Sequence, residues 1–191
     1  MKNTKTTRLV TGAVTLALST ILSFISITRL PFGGSLTLLS MLPICLYSYR
    51  YGLQWGFGVS FTYSVIQLAM SIGEAMSWGL TPTFFCGMIL LDYLLAYTLL
   101  GLGGVFRRFA WGLPVGVFVA LSARYLCHIA SGVLLWKSTG EVAGLVLDNV
   151  WLYSLAYNGL YMIPELIVTT AAAILLSAMP HMRRWMRPME A

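Results

Sequence analysis

Charged side chains are scarce in this chain: 9% of its 191 residues are Asp, Glu, Lys or Arg, against about 25% in an ordinary soluble domain. Six acids and twelve Lys or Arg cannot coat a globular core of this size, which excludes a cytosolic globular protein. A G-x-x-x-x-G-K-[ST] phosphate loop is also missing. Spans of about 20 residues would use up this length in at most about seven crossings. No room is left within the 191 residues for a second, soluble domain, and any ATP-driven work falls to a partner. Cysteine is sparse too. Cys45, Cys86 and Cys127 lie in apolar stretches without a C-x-x-C pair, and they read as small buried apolar residues.

Apolar runs fill the space that charge leaves, at 58% of the residues. They predict an all-α integral membrane protein, a single membrane domain over 1–191 with six transmembrane helices near 9–28, 35–49, 51–72, 83–106, 110–136 and 150–178. The first run follows Lys2, Lys5 and Arg8 like a signal peptide. It exceeds an h-region of roughly 7 to 15 residues and runs into Arg29 and Pro31 instead of a small-residue cleavage site, so it reads as a retained helix. Pro43 makes the second run short, tilted or partly re-entrant.

Basic residues set the orientation. With both termini cytoplasmic, the inner segments hold nine cations (Lys2, Lys5, Arg8, Arg50, Arg107, Arg108, Arg183, Arg184 and Arg187) and the outer loops hold two, Arg29 and Lys137. The segments 73–82 and 137–149 are then external. No internal repeat is evident, so an inverted-repeat transporter is not supported.

An ionisable group in hydrocarbon is costly unless it is paired or faces a cavity, which makes the few such residues functional candidates. At about 1.5 Å rise per residue, Asp92 lies roughly 14 Å below the outer end of helix four, and His128 and Asn158 each lie roughly 12 Å below those of helices five and six. Three helices thus carry polar groups at one depth. Arg124 lies a turn deeper than His128, and Tyr153 lies nearer the outside than Asn158. On helix five Arg124, His128, Gly132 and Trp136 step by four along one slowly drifting stripe. Gly132 leaves room for a flat ring beside an indole. An aromatic face next to a carboxylate suits an organic cation, and His128 and Asn158 offer the directional hydrogen bonds that a nitrogen heterocycle requires. Plainer readings stand beside these. Trp136 and Tyr153 also fit an interfacial belt, His128 fits an interhelical hydrogen bond, and Asp92 with Arg124 fits a structural ion pair. Glu165, next to Pro164, pairs with Arg124 or faces another subunit. Ala13 and Ala17, four apart on helix one, permit close approach of a partner helix.

Several segments together resemble a known family. They are Gly33-Gly34-Ser35 with Met41-Leu42-Pro43, Leu91-Asp92-Tyr93, Arg124-Tyr125 with His128 and Ser131-Gly132, and the run from Trp151 to Asn158. Over nearly the whole chain they are similar to the thiamin-specific substrate-binding subunit (S component) of energy-coupling factor transporters. The resemblance implies a six-helix S-component fold that captures thiamin from outside, in the multi-pass plasma membrane of a prokaryote. It implies delivery through a shared transmembrane coupling subunit and two ABC-type ATPases. It also implies no catalysis and no cofactor in this chain, ATP being used only by the partners, and no nucleic-acid partner. By the same resemblance Asp92 sits by the thiazolium with Tyr93 nearby, while Arg124, His128, Gly132, Trp136, Tyr153 and Asn158 complete the site. Ala13 and Ala17 fall on the surface that docks the coupling subunit. Some relatives carry Glu at Asp92 and Lys at Arg124, which changes reach and geometry. A Trp in the first external loop of some relatives has no counterpart among residues 29–35, and Trp78 and Thr81 are not assigned. A stand-alone proton-coupled vitamin transporter, with Asp92, His128 and Glu165 as the relay, is the alternative function.

Overall fold

The computed structural model describes residues 4–30, 34–37, 39–109 and 111–186. Lys2, Pro31, Phe32, Gly33 and Arg187, used in the reading of charge and motifs, lie outside them.

Helix α1, Thr4–Phe24, has two unlike faces. Small and polar residues line the inner one, where Tyr51 Oη donates to Thr11 Oγ1 (3.1 Å), Tyr63 Oη to the Ser19 carbonyl (3.4 Å) and Gln67 Nε2 to Ser23 Oγ (3.0 Å). Leu9, Val10, Val14, Leu18 and Ile21 are exposed on the other, with Ala13 and Ala17 among them.

The expected second helix begins as something else. Residues 35–37 form strand β2 (Ser35–Thr37), which pairs antiparallel with β1 (Ser26–Arg29), and α2 runs only from Leu42 to Tyr51. Pro43 accounts for the late start, because a residue without N–H is at home in the first turn of a helix and not further in. Gly52, at φ 92°, then breaks the chain before α3, Leu53–Ser77. That helix outlasts the apolar run by five residues, and Ala75 in the extension is buried.

Segment α4 runs from Pro82 to Gly104 and changes its winding on the way. It starts as an α-helix capped by the Thr81 hydroxyl, which accepts the Phe84 N–H. It widens to a π-helix over Ile89–Leu95 and tightens to 3-10 over Leu99–Gly104. Segment α5, Gly112–Trp136, is α-helical to Ser131 and π from Gly132. Helix α6, Val150–Ala178, is capped by Asn149 Oδ1, which accepts the N–H of Trp151 (2.9 Å) and of Leu152 (3.2 Å). A short α7, Pro180–Trp185, follows. Between α5 and α6 lies a second hairpin, β3 (Gly140–Val142) with β4 (Leu145–Leu147). Its two turn residues, Ala143 and Gly144, have φ of 52° and 83°, the positive values that a tight hairpin needs.

The chain is therefore mostly helical, with two small hairpins that the all-α expectation lacked. Four of its segments, 5–24, 82–104, 112–136 and 150–178, are long and apolar enough to cross a membrane. The ten-residue α2 is too short, and α3 carries Ser60, Thr62, Ser64, Gln67, Ser71 and Glu74. A common core of Ile44, Cys45, Leu100, Leu113, Val117, Ala120 and Leu121 joins α2, α4 and α5. Small residues let these backbones approach: a side chain on Gly116 would collide with the Gly103 carbonyl. Cys45 and Cys127 are buried, whereas Cys86 is exposed on α4, contrary to expectation; all three are free thiols. At the end away from the hairpins, arginines stack on indoles, Arg50 on Trp185 (4.2 Å), Arg8 on Trp55 (5.7 Å) and Arg183 on Trp111 (5.9 Å). Such pairs suit a membrane–water interface, where the ring is half apolar and the cation stays wet.

Candidate functional site

Helices α3 to α6 enclose a cavity of about 470 Å³, walled in addition by Leu30, Gly34 and Ser35 from the first hairpin region and by Glu141, Val142 and Ala143 from the second. That volume falls within the usual range for small-molecule sites, roughly 300–1,000 Å³. All eight site residues expected from the sequence line it: Asp92 and Tyr93 from α4, Arg124, His128, Gly132 and Trp136 from α5, and Tyr153 and Asn158 from α6. Ala13 and Ala17 are elsewhere, on the exposed face of α1.

The centre is a carboxylate held from one side. Asp92 Oδ1 lies 2.9 Å from His128 Nδ1, and Asp92 Oδ2 accepts the Ser131 hydroxyl. With Nδ1–H given to Asp92, a neutral imidazole keeps Nε2 as an acceptor. Nε2 is buried and has no protein partner among the described residues. Asp92 and Tyr93 sit in the π segment of α4, and Gly132 and Trp136 in that of α5. A π turn adds a residue and re-aims its side chains, which is why such turns collect at functional sites.

The plainer reading of a structural ion pair between Asp92 and Arg124 does not hold among the described residues: Asp92 is met by His128 and Ser131. Arg124 instead lies 4.2 Å from the centre of the Tyr97 ring and points Nη1 at Met41 Sδ. Among the described residues Glu165 makes no ion pair with Arg124, and it faces inward and not toward another subunit. It is 1% exposed and accepts from Thr37. Gly132 serves differently from the expectation as well. The space a side chain would take there is filled by Ser154 of α6, so the glycine lets α5 and α6 touch in addition to lining the cavity.

Asn158 is nearly saturated. Its Nδ2 faces the carbonyls of His128 (3.3 Å) and Ser154 (2.9 Å), and Oδ1 accepts from Tyr161 Oη at 2.7 Å. Only one Oδ1 lone pair is left for a ligand. Trp136 stands edge-on to Trp78 (5.9 Å) and Phe84 (5.0 Å), while Tyr153 and Tyr157 lie nearly parallel, 11° apart with centres at 5.9 Å.

Trp78, Tyr97, Tyr157, Tyr161 and Glu141 also line the cavity, and none of them was expected. For Tyr161, and for Ser131 on Asp92, a signal existed: each is three residues past a named residue, Asn158 and His128, on the same helix face. Trp78 and Glu141 belong to the loop and hairpin segments, whose placement is tertiary.

Comparison with known proteins points one way. The family model described as Thiamine transporter protein (Thia_YuaJ) matches residues 9–183. The Thiamine transporter ThiT of Bacillus subtilis (strain 168) is 30% identical over 184 residues, covering 88% of this chain and 89% of the relative. A solved structure of ThiT from Listeria monocytogenes superposes with a TM-score of 0.70 at 21% identity, over 94% of this chain and 98% of that one; it bears on the fold alone.

Proposed function

The chain belongs to the Thiamine transporter protein (Thia_YuaJ) family, multi-pass membrane transporters of prokaryotes and not enzymes, and from that premise we propose that it binds thiamin from outside and brings it into the cell. The observation that carries this reading is the Asp92 carboxylate, whose side chain is 17% exposed in a cavity otherwise rich in aromatic rings. Thiamin joins a cationic thiazolium to a neutral aminopyrimidine. Asp92 offsets the cation where little water competes, Tyr93 stands beside it, and Trp136 with Trp78 offers ring faces. The free lone pair of Asn158 Oδ1 accepts from the pyrimidine amino group, His128 lies against that ring and holds Asp92 through Nδ1, and Gly132 and Tyr153 shape the slot. Arg124 bounds the cavity from the deep end.

Six crossings with both termini in the cytoplasm, the short α2 making one of them together with β2 before it, fit the nine-to-two cation bias and the arginine–indole pairs at the end opposite the hairpins. Transport by an energy-coupling factor assembly follows from the family resemblance. In it the exposed face of α1, with Ala13 and Ala17, docks a transmembrane coupling subunit served by two ABC-type ATPases. The absence of a phosphate loop from the sequence and the exposure of that apolar face support this. ATP is then spent only in the partners, and the chain needs no cofactor of its own.

The direct test is a titration of the purified subunit with thiamin, its phosphate esters and riboflavin. Saturable quenching of tryptophan fluorescence by thiamin and none by riboflavin is expected; a flat thiamin titration would remove the proposal. The quench should shrink in Trp136→Phe, and a variant that quenches like the parent would take Trp136 out of the contact. Proteoliposomes holding this chain alone should show no thiamin uptake under a pH gradient. Uptake there would favour a stand-alone proton-coupled transporter, a reading weakened by the engagement of Glu165 with Thr37 outside the cavity.

A further inference from the structure

Glu165 is an ionisable residue in the middle of α6 that lines no part of the cavity, yet it is only 1% exposed. A buried carboxyl persists only where donors meet its oxygens. Both donors come from one residue, 128 positions away in sequence. The Thr37 backbone N–H lies 2.8 Å from Glu165 Oε2, and the Thr37 hydroxyl lies 3.2 and 3.3 Å from the two oxygens. Ser40 Oγ lies 2.7 Å from Thr37 Oγ1, so the Ser40 hydroxyl can donate to Thr37 while Thr37 donates to Glu165.

Thr37 ends strand β2, and the same strand begins with Ser35, which together with Gly34 walls the cavity. One turn up α6 from Glu165, the Tyr161 ring packs so closely on Gly34 that an added Cβ would lie 2.8 Å from it. The Tyr161 hydroxyl in turn donates to Asn158 Oδ1. Strand β2 therefore lies along α6 with one fixed point at each end, a ring under Gly34 and a carboxylate under Thr37. Of the two, only the carboxylate makes hydrogen bonds to the strand's own backbone.

We propose that Glu165 is a positioning residue of the substrate site: by anchoring Thr37 it holds β2 on α6 and so sets how long a ligand stays behind the Gly34–Ser35 wall. Glu165 touches no ligand in this arrangement and acts through the strand. The proposal deepens the thiamin reading and rests on it for its kinetic half. Its other half, the anchoring of β2, is independent of any ligand.

Two measurements on the full-length purified protein test it, in the parent, Glu165→Ala, Glu165→Gln and Thr37→Val. Hydrogen exchange over residues 34–41 without ligand should be faster in Glu165→Ala, with most protection restored in Glu165→Gln, whose amide oxygen still accepts the Thr37 N–H. Stopped-flow tryptophan fluorescence should show thiamin leaving Glu165→Ala about tenfold faster or more, the scale expected from losing hydrogen bonds to a charged acceptor. Thr37→Val, which keeps the N–H, should be milder. Unchanged exchange in Glu165→Ala would overturn the anchor whatever thiamin does. Faster exchange with an unchanged dissociation rate would overturn the kinetic role. If Glu165→Ala fails to fold, the comparison passes to Thr37→Val, where parent-like exchange and dissociation together would overturn the proposal. A parent that binds no thiamin, with exchange changed as expected, would count against the thiamin reading and leave the anchor standing.

Discussion

Asp92→Asn is expected to lower thiamin affinity by about thirtyfold or more, since removing one member of a desolvated charge pair costs roughly 2–5 kcal/mol. Isothermal titration of the purified variant measures it. Fold and cavity should survive, because Asn still presents an oxygen to His128 or Ser131; the ligand-free melting temperature checks this. Charge itself is isolated by a second ligand, an uncharged thiophene isostere of thiamin. The parent should prefer the cation strongly, and Asp92→Asn should bind the two almost equally. If the variant keeps the parent's preference, the counter-charge lies elsewhere, and Glu141 at the hairpin wall becomes the next residue to test.

Gly132→Ala should damage stability and binding together. An added Cβ would overlap Ser154 Oγ and lie 2.9 Å from Ser154 Cβ, so α5 and α6 must separate. Overpacking of this kind costs about 1–3 kcal/mol. It also shifts Asn158 relative to His128, whose carbonyl it now contacts at 3.3 Å. Adding Ser154→Gly should recover most of the melting temperature, although Asn158 then loses the hydroxyl at 3.3 Å from its Nδ2. A single variant that melts and binds like the parent would show that the helices have slack at this point.

The sixth helix and most of the fourth and fifth were legible in the sequence because their signal is local, a long apolar run in each; the caps Thr81 and Asn149 that start two of them came from the structure. The meeting of Asp92, His128 and Asn158 was legible too, since one helical rise applied to three helices puts these three at one depth; the full set of eight came with the family resemblance. What escaped was fixed from a distance. Residues 35–37 read as the start of a helix until their partner strand and Glu165 are known, and nothing near Thr37 announces a carboxylate 128 positions on. A structural ion pair of Asp92 with Arg124 was one plain reading of the sequence, and nothing local to either residue shows that Asp92 meets Ser131 and His128 while Arg124 lies over Tyr97.

The winding of α4 has a consequence for register. Its π segment closes rings from i to i+5 where an α-helix closes them from i to i+4, so Ile89–Leu95 absorbs one surplus residue. Removing a single residue there would let α4 close as a regular helix. Leu100 and the 3-10 turn would keep their seat against Cys45 and Gly116, while the positions before the deletion would swing by about 100° around the axis. The core around Cys45 and Gly116 thus lies on one side of the π segment, while the extra residue sets the facing of the side chains on the other, among them the buried Met88 and Phe84 against Trp136.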